Sequence, residues 1–198
     1  MSLNLKSQIE NLESGEYECL TDLNIYDSPE CTRLATQAQA GRHLWLTSNY
    51  QDVAVEVCLC EDDYPGWLSV ADLVFLQTAT VPYQAKSFSE SAIKKLLPEV
   101  IAFTHKAMQQ PNYYLWGGTV GPNYDCSGLM QAAFRSVGIC LPRDAYQQEG
   151  FTQPIDLVLL QPGDLVFFGS PQKATHVGLY LGDSFYIHSS GKDQGRNG

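Results

Sequence analysis

The chain opens in short alternating runs rather than helical periods. Between Glu16 and Leu73, the segments EYECLT, LNIY, RLATQA, RHLWLTS, VAVEVCLC and GWLSVADL are rich in β-branched and aromatic residues. DSPE, AG, SNYQD and EDDYPG separate them and supply turn chemistry. Such a succession of five or six short strands predicts a small β-barrel. The segment from Gln77 to Phe88 has no clean period and contains Pro82, which marks it as a linker. Beyond it the period changes. Ile93, Leu96, Leu97, Val100, Phe103 and Ala107 fall at helical spacing behind an S-x-x-E capping signature, Ser87 to Glu90. Pro98 predicts a kink or a restart within that helix.

A second helix is expected after Asp125, a favourable N-cap, and before Gly138, a favourable stop. Leu129, Ala133 and Val137 make its apolar stripe, broadened by Met130 and Phe134. LPRDAYQQ reads as a loop or short turn, and PGDLVFFG as a strand after a turn. HVGLYLG and SFYIHSS alternate as two strands joined through Gly182-Asp183-Ser184.

Composition narrows the partners. Twelve basic against 22 acidic residues give a formal charge of −10, with no lysine or arginine block. Nucleic acid and anionic membrane are therefore poor partners for this surface. No run approaches the roughly 20 apolar residues that span a bilayer. The first residues lack a basic segment followed by an apolar one, so a cytoplasmic protein is the expectation. The six cysteines include no CxxC, and the four histidines are scattered, so no metal site and no cofactor are expected. Most of the thiols read as small buried hydrophobes.

Cys126 is the exception. It stands at the first turn of the second helix, where unpaired N–H groups and the macrodipole favour a thiolate. A nucleophilic cysteine also needs an imidazole, and His176 and His188 sit one on each arm of the terminal hairpin. Both numbers are even, so the rings share a face only if the connection holds an odd number of residues. A three-residue loop, 182–184, satisfies this and leaves His188 opposite or diagonal to His176. Gly178 then leaves room beside His176, and Val177, Leu179, Phe185 and Ile187 supply the buried face.

These motifs carry a resemblance. WGG, DCSGLMQAAFRSVGICLPRDAYQQ, GDLVFFG and THVGLYLGDSFYIHSSG, in this order, resemble the NlpC-type papain-like cysteine peptidases. YPGWLSVADL resembles the closing strand of bacterial SH3-like domains. The resemblance implies an α+β chain with a small SH3-like β-barrel over residues 1–76, a linker over 77–88 and a papain-like catalytic domain over 89–198. Ten residues follow His188, fewer than in the domains it resembles, so the last sheet edge is expected to be brief or continued beyond Gly198.

By the same resemblance, Cys126 is the nucleophile, His176 the general base, His188 its orienting partner and Tyr114 an oxyanion donor. The implied substrate is a peptidoglycan stem peptide, cut between D-γ-glutamate and a diamino acid. Members with an N-terminal SH3-like domain resemble recycling enzymes that prefer a free N-terminal L-alanine. Asp125 and Ser127, with Tyr64 and Glu61 of the EDDYPG turn, are the candidates for holding that ammonium group. For Asp125 a plain N-cap is the competing role, and for Glu61 a solvated turn. Arg143 either steadies its loop or meets a substrate carboxylate. A Cys–His acyltransferase or amidase and a non-catalytic wall-binding module are the alternatives, the latter having no use for the Cys–His–His set.

Overall fold

The computed structural model describes residues 13–51 and 53–191, and the chain divides into two units, Met1–Gln84 and Ala85–Gly198. The first is all β. Its strands are β1 (Gly15–Cys19), β2 (Leu23–Tyr26), β3 (Leu34–Ala38), β4 (His43–Gln51), β5 (Ala54–Leu59), β6 (Tyr64–Ser69) and β7 (Leu76–Thr78). They hydrogen-bond in the order β3-β2-β6-β5-β4-β1-β7, antiparallel throughout. Period-two alternation sends Tyr17, Leu23, Ile25, Leu44, Leu46, Val55, Val57, Leu59 and Leu68 into one core.

The seventh strand corrects the sequence reading. Gln77 and Thr78, assigned to the linker, pair with Glu18 and Tyr17 of β1. Three residues are too few to show a period, and β7 owes its existence to the open edge of β1. The chain leaving it is tied down further on. The backbone N–H of Tyr83 donates to the Glu16 carboxylate, which also meets His43 Nδ1 at 2.5 Å.

In the second unit, helix α1 (Glu90–Met108) packs beside the central helix α2 (Cys126–Arg135). The ribbon β8 (Thr119–Val120) and β9 (Asn123–Tyr124) lies between them in sequence, and α3 (Ala145–Phe151) follows. Strands β10 (Leu165–Ser170), β11 (Lys173–Gly182) and β12 (Phe185–Ile187) form an antiparallel sheet, β11 central, against which α2 and α3 pack. The N-cap of α1 is Ser89, whose hydroxyl accepts from Ala92 N, and not Ser87. Helix α1 also runs through Pro98 without restarting. Proline removes one hydrogen bond there, and Val100, with no solvent exposure, and the partly buried Leu96, Leu97 and Phe103 hold the helix to the core.

Helix α2 differs from the one-sided helix expected. Every residue from Cys126 to Phe134 is buried, Ser127 and Gln131 included. Its polar side chains are partnered inside: Gln131 Nε2 donates to Leu141 O at 2.9 Å. The helix is the centre of its unit, covered on all sides, so its stripe marks only part of its buried surface. At its end Gly138 takes φ +84°, and Ile139 N returns to Phe134 O.

Candidate active site

Cys126 begins α2, with Asp125 as the N-cap. The Asp125 carboxylate accepts from Gly128 N at 2.7 Å, Gly117 N at 2.9 Å and Ser127 Oγ at 3.3 Å. Arg143 closes the remaining side, with Nη2 2.5 Å from Oδ2 and Nη1 3.1 Å from Oδ1. Nη1 also reaches Ser127 Oγ at 3.0 Å. Asp125, Ser127 and Arg143 are all buried. Of the two roles the sequence left to Arg143, the structure takes the first: its guanidinium is engaged inside the protein and is not presented to a substrate carboxylate. Asp125 is likewise an inward-facing, charge-compensated cap and not a bare anion. A buried, doubly bonded pair of this kind is strongly coupled, and removing either member leaves an isolated charge.

The approach of the 115–118 loop to this helix start requires a glycine. A Cβ on Gly128 would fall 1.9 Å from the carbonyl oxygen of Gly118, which itself accepts from Asp125 N at 3.1 Å. Gln148 of α3 ties the loop after α2 to the same place, donating from Nε2 to Ser127 O at 3.1 Å and Pro142 O at 2.9 Å. Gly117, Gly118, Gly128 and Gln148 thus shape the site. The sequence displayed them in WGG, DCSG and YQQ without disclosing what they touch.

The sulfur is buried. The backbone N–H groups of Val177 and Ser127 bond to it, the first of these next to His176. Burial pushes the Cys126 thiol above its usual range and the Asp125 charge adds to this, while those N–H groups and Arg143 partly oppose it. The helix terminus therefore does not by itself hold a thiolate, as the sequence reading expected; desolvation outweighs it. Ionisation has to come from a base. Tyr114 stands beside the cysteine, its phenol in hydrogen bonds with the Cys126 side chain and backbone, and burial keeps that phenol protonated.

The two histidines meet. His176 Nε2 lies 2.6 Å from His188 Nδ1, with the rings edge to face. That bond engages Nε2 of His176. Their shared face is obtained differently from the sequence account. The turn proper is two residues, Asp183 and Ser184, both with positive φ, and a bulge supplies the missing residue. Tyr180 pairs with Tyr186 but Gly182 with Phe185, so Leu181 is the extra residue that restores parity. His188, one residue beyond β12, then comes beside Gly178, diagonal to His176. Val177, Leu179 and Ile187 are buried as expected, whereas Phe185, at the turn, is 70% exposed.

Glu61 and Tyr64 belong to the first unit. Glu61 is not a solvated turn residue: its carboxylate is 2.9 Å from Arg42 Nε and its side chain is 14% exposed. Tyr64 starts β6 and packs on the first core. Among the described residues no group of histidines, cysteines and carboxylates is arranged to hold a metal ion. None of their helices is long and apolar enough to cross a membrane.

Residues 111–197 match the model of the NlpC/P60 family. The second unit is an NlpC/P60 domain. Residues 25–73 match the bacterial dipeptidyl-peptidase SH3 domain, which gives the β-rich first unit its counterpart. A probable endopeptidase of Mycobacterium tuberculosis is 44% identical over 77 residues, 39% of this chain and 20% of that protein. The γ-D-glutamyl-L-lysine dipeptidyl-peptidase of Bacillus cereus is 42% identical over 79 residues, 38% of this chain and 24% of the enzyme. The murein DD-endopeptidase/LD-carboxypeptidase of Escherichia coli is 37% identical over 78 residues, 39% and 42% of the two chains. The matched stretch thus spans between 20% and 42% of these relatives. Among solved structures, the Mycobacterium tuberculosis peptidoglycan hydrolase RipB has a TM-score of 0.47 at 28% identity, covering 58% of this chain and 63% of its own. The chain thus joins a β-rich first unit to an NlpC/P60 domain in a mixed α/β fold.

Proposed function

We propose that this NlpC/P60 chain is a cysteine endopeptidase that cuts peptidoglycan stem peptides between D-γ-glutamate and a diamino acid. The observation that carries the reading is the 2.6 Å His176–His188 hydrogen bond on the strand whose Val177 N–H bonds to the Cys126 sulfur. His176 takes the thiol proton at Nδ1 as the sulfur attacks the γ-glutamyl carbonyl, and His188 holds the ring in the tautomer that this requires. The Tyr114 hydroxyl and the Cys126 N–H, close together at the sulfur, receive the oxyanion. The imidazolium returns its proton to the departing amine, leaving a thioester. His176 then deprotonates water, which releases the acid and restores the thiol.

Two relatives named as γ-D-glutamyl-L-lysine dipeptidyl-peptidases support the choice of bond. We take the substrate to be a freed peptide with an N-terminal L-alanine, met in the cytoplasm during recycling. With the Asp125 carboxylate paired to Arg143, Asp125 charge alone does not hold the ammonium group. Matched L-Ala-γ-D-Glu-diamino acid peptides, one free and one N-acetylated, test this. Release of the diamino acid from the free peptide alone is the expected result. Equal cleavage removes the ammonium requirement, and a Cys126→Ala variant as active as the parent removes the cysteine mechanism.

A further inference from the structure

Four rings close a circuit around the imidazole pair. Phe168 lies 6.0 Å from His176 and 5.2 Å from Tyr186; Tyr186 lies 5.1 Å from His188; the two imidazoles are 4.9 Å apart, all between centroids. Register explains the grouping. Phe168 is the direct partner of His176 across β10 and β11, and Tyr186 precedes His188 by two residues on the same face. Gly178 makes room for the circuit. A Cβ there would fall 2.7 Å from Tyr186 Cδ2 and 3.3 Å from His188 Cβ, so the phenol ring lies over bare backbone.

Neither aromatic residue is core. Phe168 is 42% and Tyr186 43% exposed, yet both rings are turned onto the imidazoles. Offset and edge contacts between rings prefer particular orientations, and a flat apolar cover limits water at the hydrogen bond beneath it. Resting on the peptidase reading above, we infer that Tyr186, backed by Phe168, is a positioning residue: it holds His188, and through it His176, in the orientation that keeps the Nε2–Nδ1 bond closed. The charged groups at β11 are Lys173, whose Nζ lies over the Tyr146 ring, and Glu149, whose carboxylate accepts from Ala174 N; the Val177 N–H next to His176 meets the Cys126 sulfur, beside which Tyr114 stands and Asp125 and Arg143 pair.

The test compares Tyr186→Ala, Tyr186→Leu and Tyr186→Phe in the full chain. In Tyr186→Ala, kcat falls about tenfold with KM unchanged, a loss of geometry rather than of substrate contact. The apparent imidazole pKa rises as water reaches the rings, and the acid limb of kcat/KM moves upward with it. Tyr186→Phe, which keeps the ring, restores both, while Tyr186→Leu, apolar but not flat, does not. Proton NMR titration of the histidine ring signals reads the same change without any substrate. If no peptide is cleaved by the parent protein, the peptidase reading fails while the titration still decides the role of Tyr186. An unchanged titration and kcat in Tyr186→Ala, or a rise in KM alone, overturns the inference.

Discussion

Arg143 grips Asp125 with both terminal nitrogens, 18 residues along the chain from it, at the start of the helix that begins with Cys126. The pair fixes the position of the Cys126 backbone, and Arg143 partly offsets the Asp125 charge that opposes a thiolate at the sulfur.

Breaking this pair from one side costs more than a surface ion pair would. Arg143→Ala leaves the Asp125 carboxylate buried beside Cys126, and a loss of about 3 kcal/mol is expected. Denaturant unfolding of the full chain, followed by a signal from the second unit, reads it. Asp125→Asn keeps an N-cap acceptor and, combined with Arg143→Ala, recovers part of the loss. Equal stability of parent and Arg143→Ala would show that the pair contributes nothing.

A methyl group at Gly128 has nowhere to go. Its Cβ would overlap the Gly118 carbonyl at 1.9 Å, a backbone atom that cannot rotate aside. Gly128→Ala is expected to shift the 115–118 loop, destabilise the second unit by roughly 1–3 kcal/mol and remove peptidase activity. Thermal unfolding and the peptide assay together check it.

The acidity of Cys126 follows from two opposed influences. Burial and Asp125 raise the thiol, and in the proposed mechanism proton transfer to His176 supplies the ion pair that reacts. In His176→Ala the burial remains and the base is gone. Ionisation then needs a pH above the ordinary thiol value of about 8.5. Alkylation by iodoacetamide should be rapid near neutrality in the parent and appear in His176→Ala only as pH rises past that value. A variant that alkylates like the parent near neutrality would place the source of the thiolate elsewhere.

Under the proposed mechanism, Tyr114→Phe removes one donor at the oxyanion position while leaving the ring. The expected loss is on the order of 10²-fold in kcat. Cys126 alkylation should change far less, because the imidazole pair is untouched. A KM effect without a kcat effect would assign Tyr114 to binding.

Helix α2 and the hairpin were legible in the sequence because their signals are local. Asp125 three residues before Gly128 is a cap in any context that begins a helix, and alternation in HVGLYLG fixes which residues share a face. The turn was less legible. Either a three-residue loop or a two-residue turn with a bulge satisfies the parity of His176 and His188, and only the pairing of Gly182 with Phe185 chooses between them. Strand β7 is three residues long and was absorbed into the linker for the same reason: its evidence lies in β1, not in itself.

The sequence by itself determined the cysteine at a helix start, the two histidines on one face of a ribbon, and the family their motifs belong to, since caps, periods and motifs are properties of neighbouring residues. Tertiary structure decided that the thiol is buried and its acidity lowered, that Arg143 faces Asp125 rather than a ligand, and that Tyr186 lies over Gly178 against His188. Burial and long-range partners arise only when distant segments pack, and no local pattern encodes the field or the volume that packing creates.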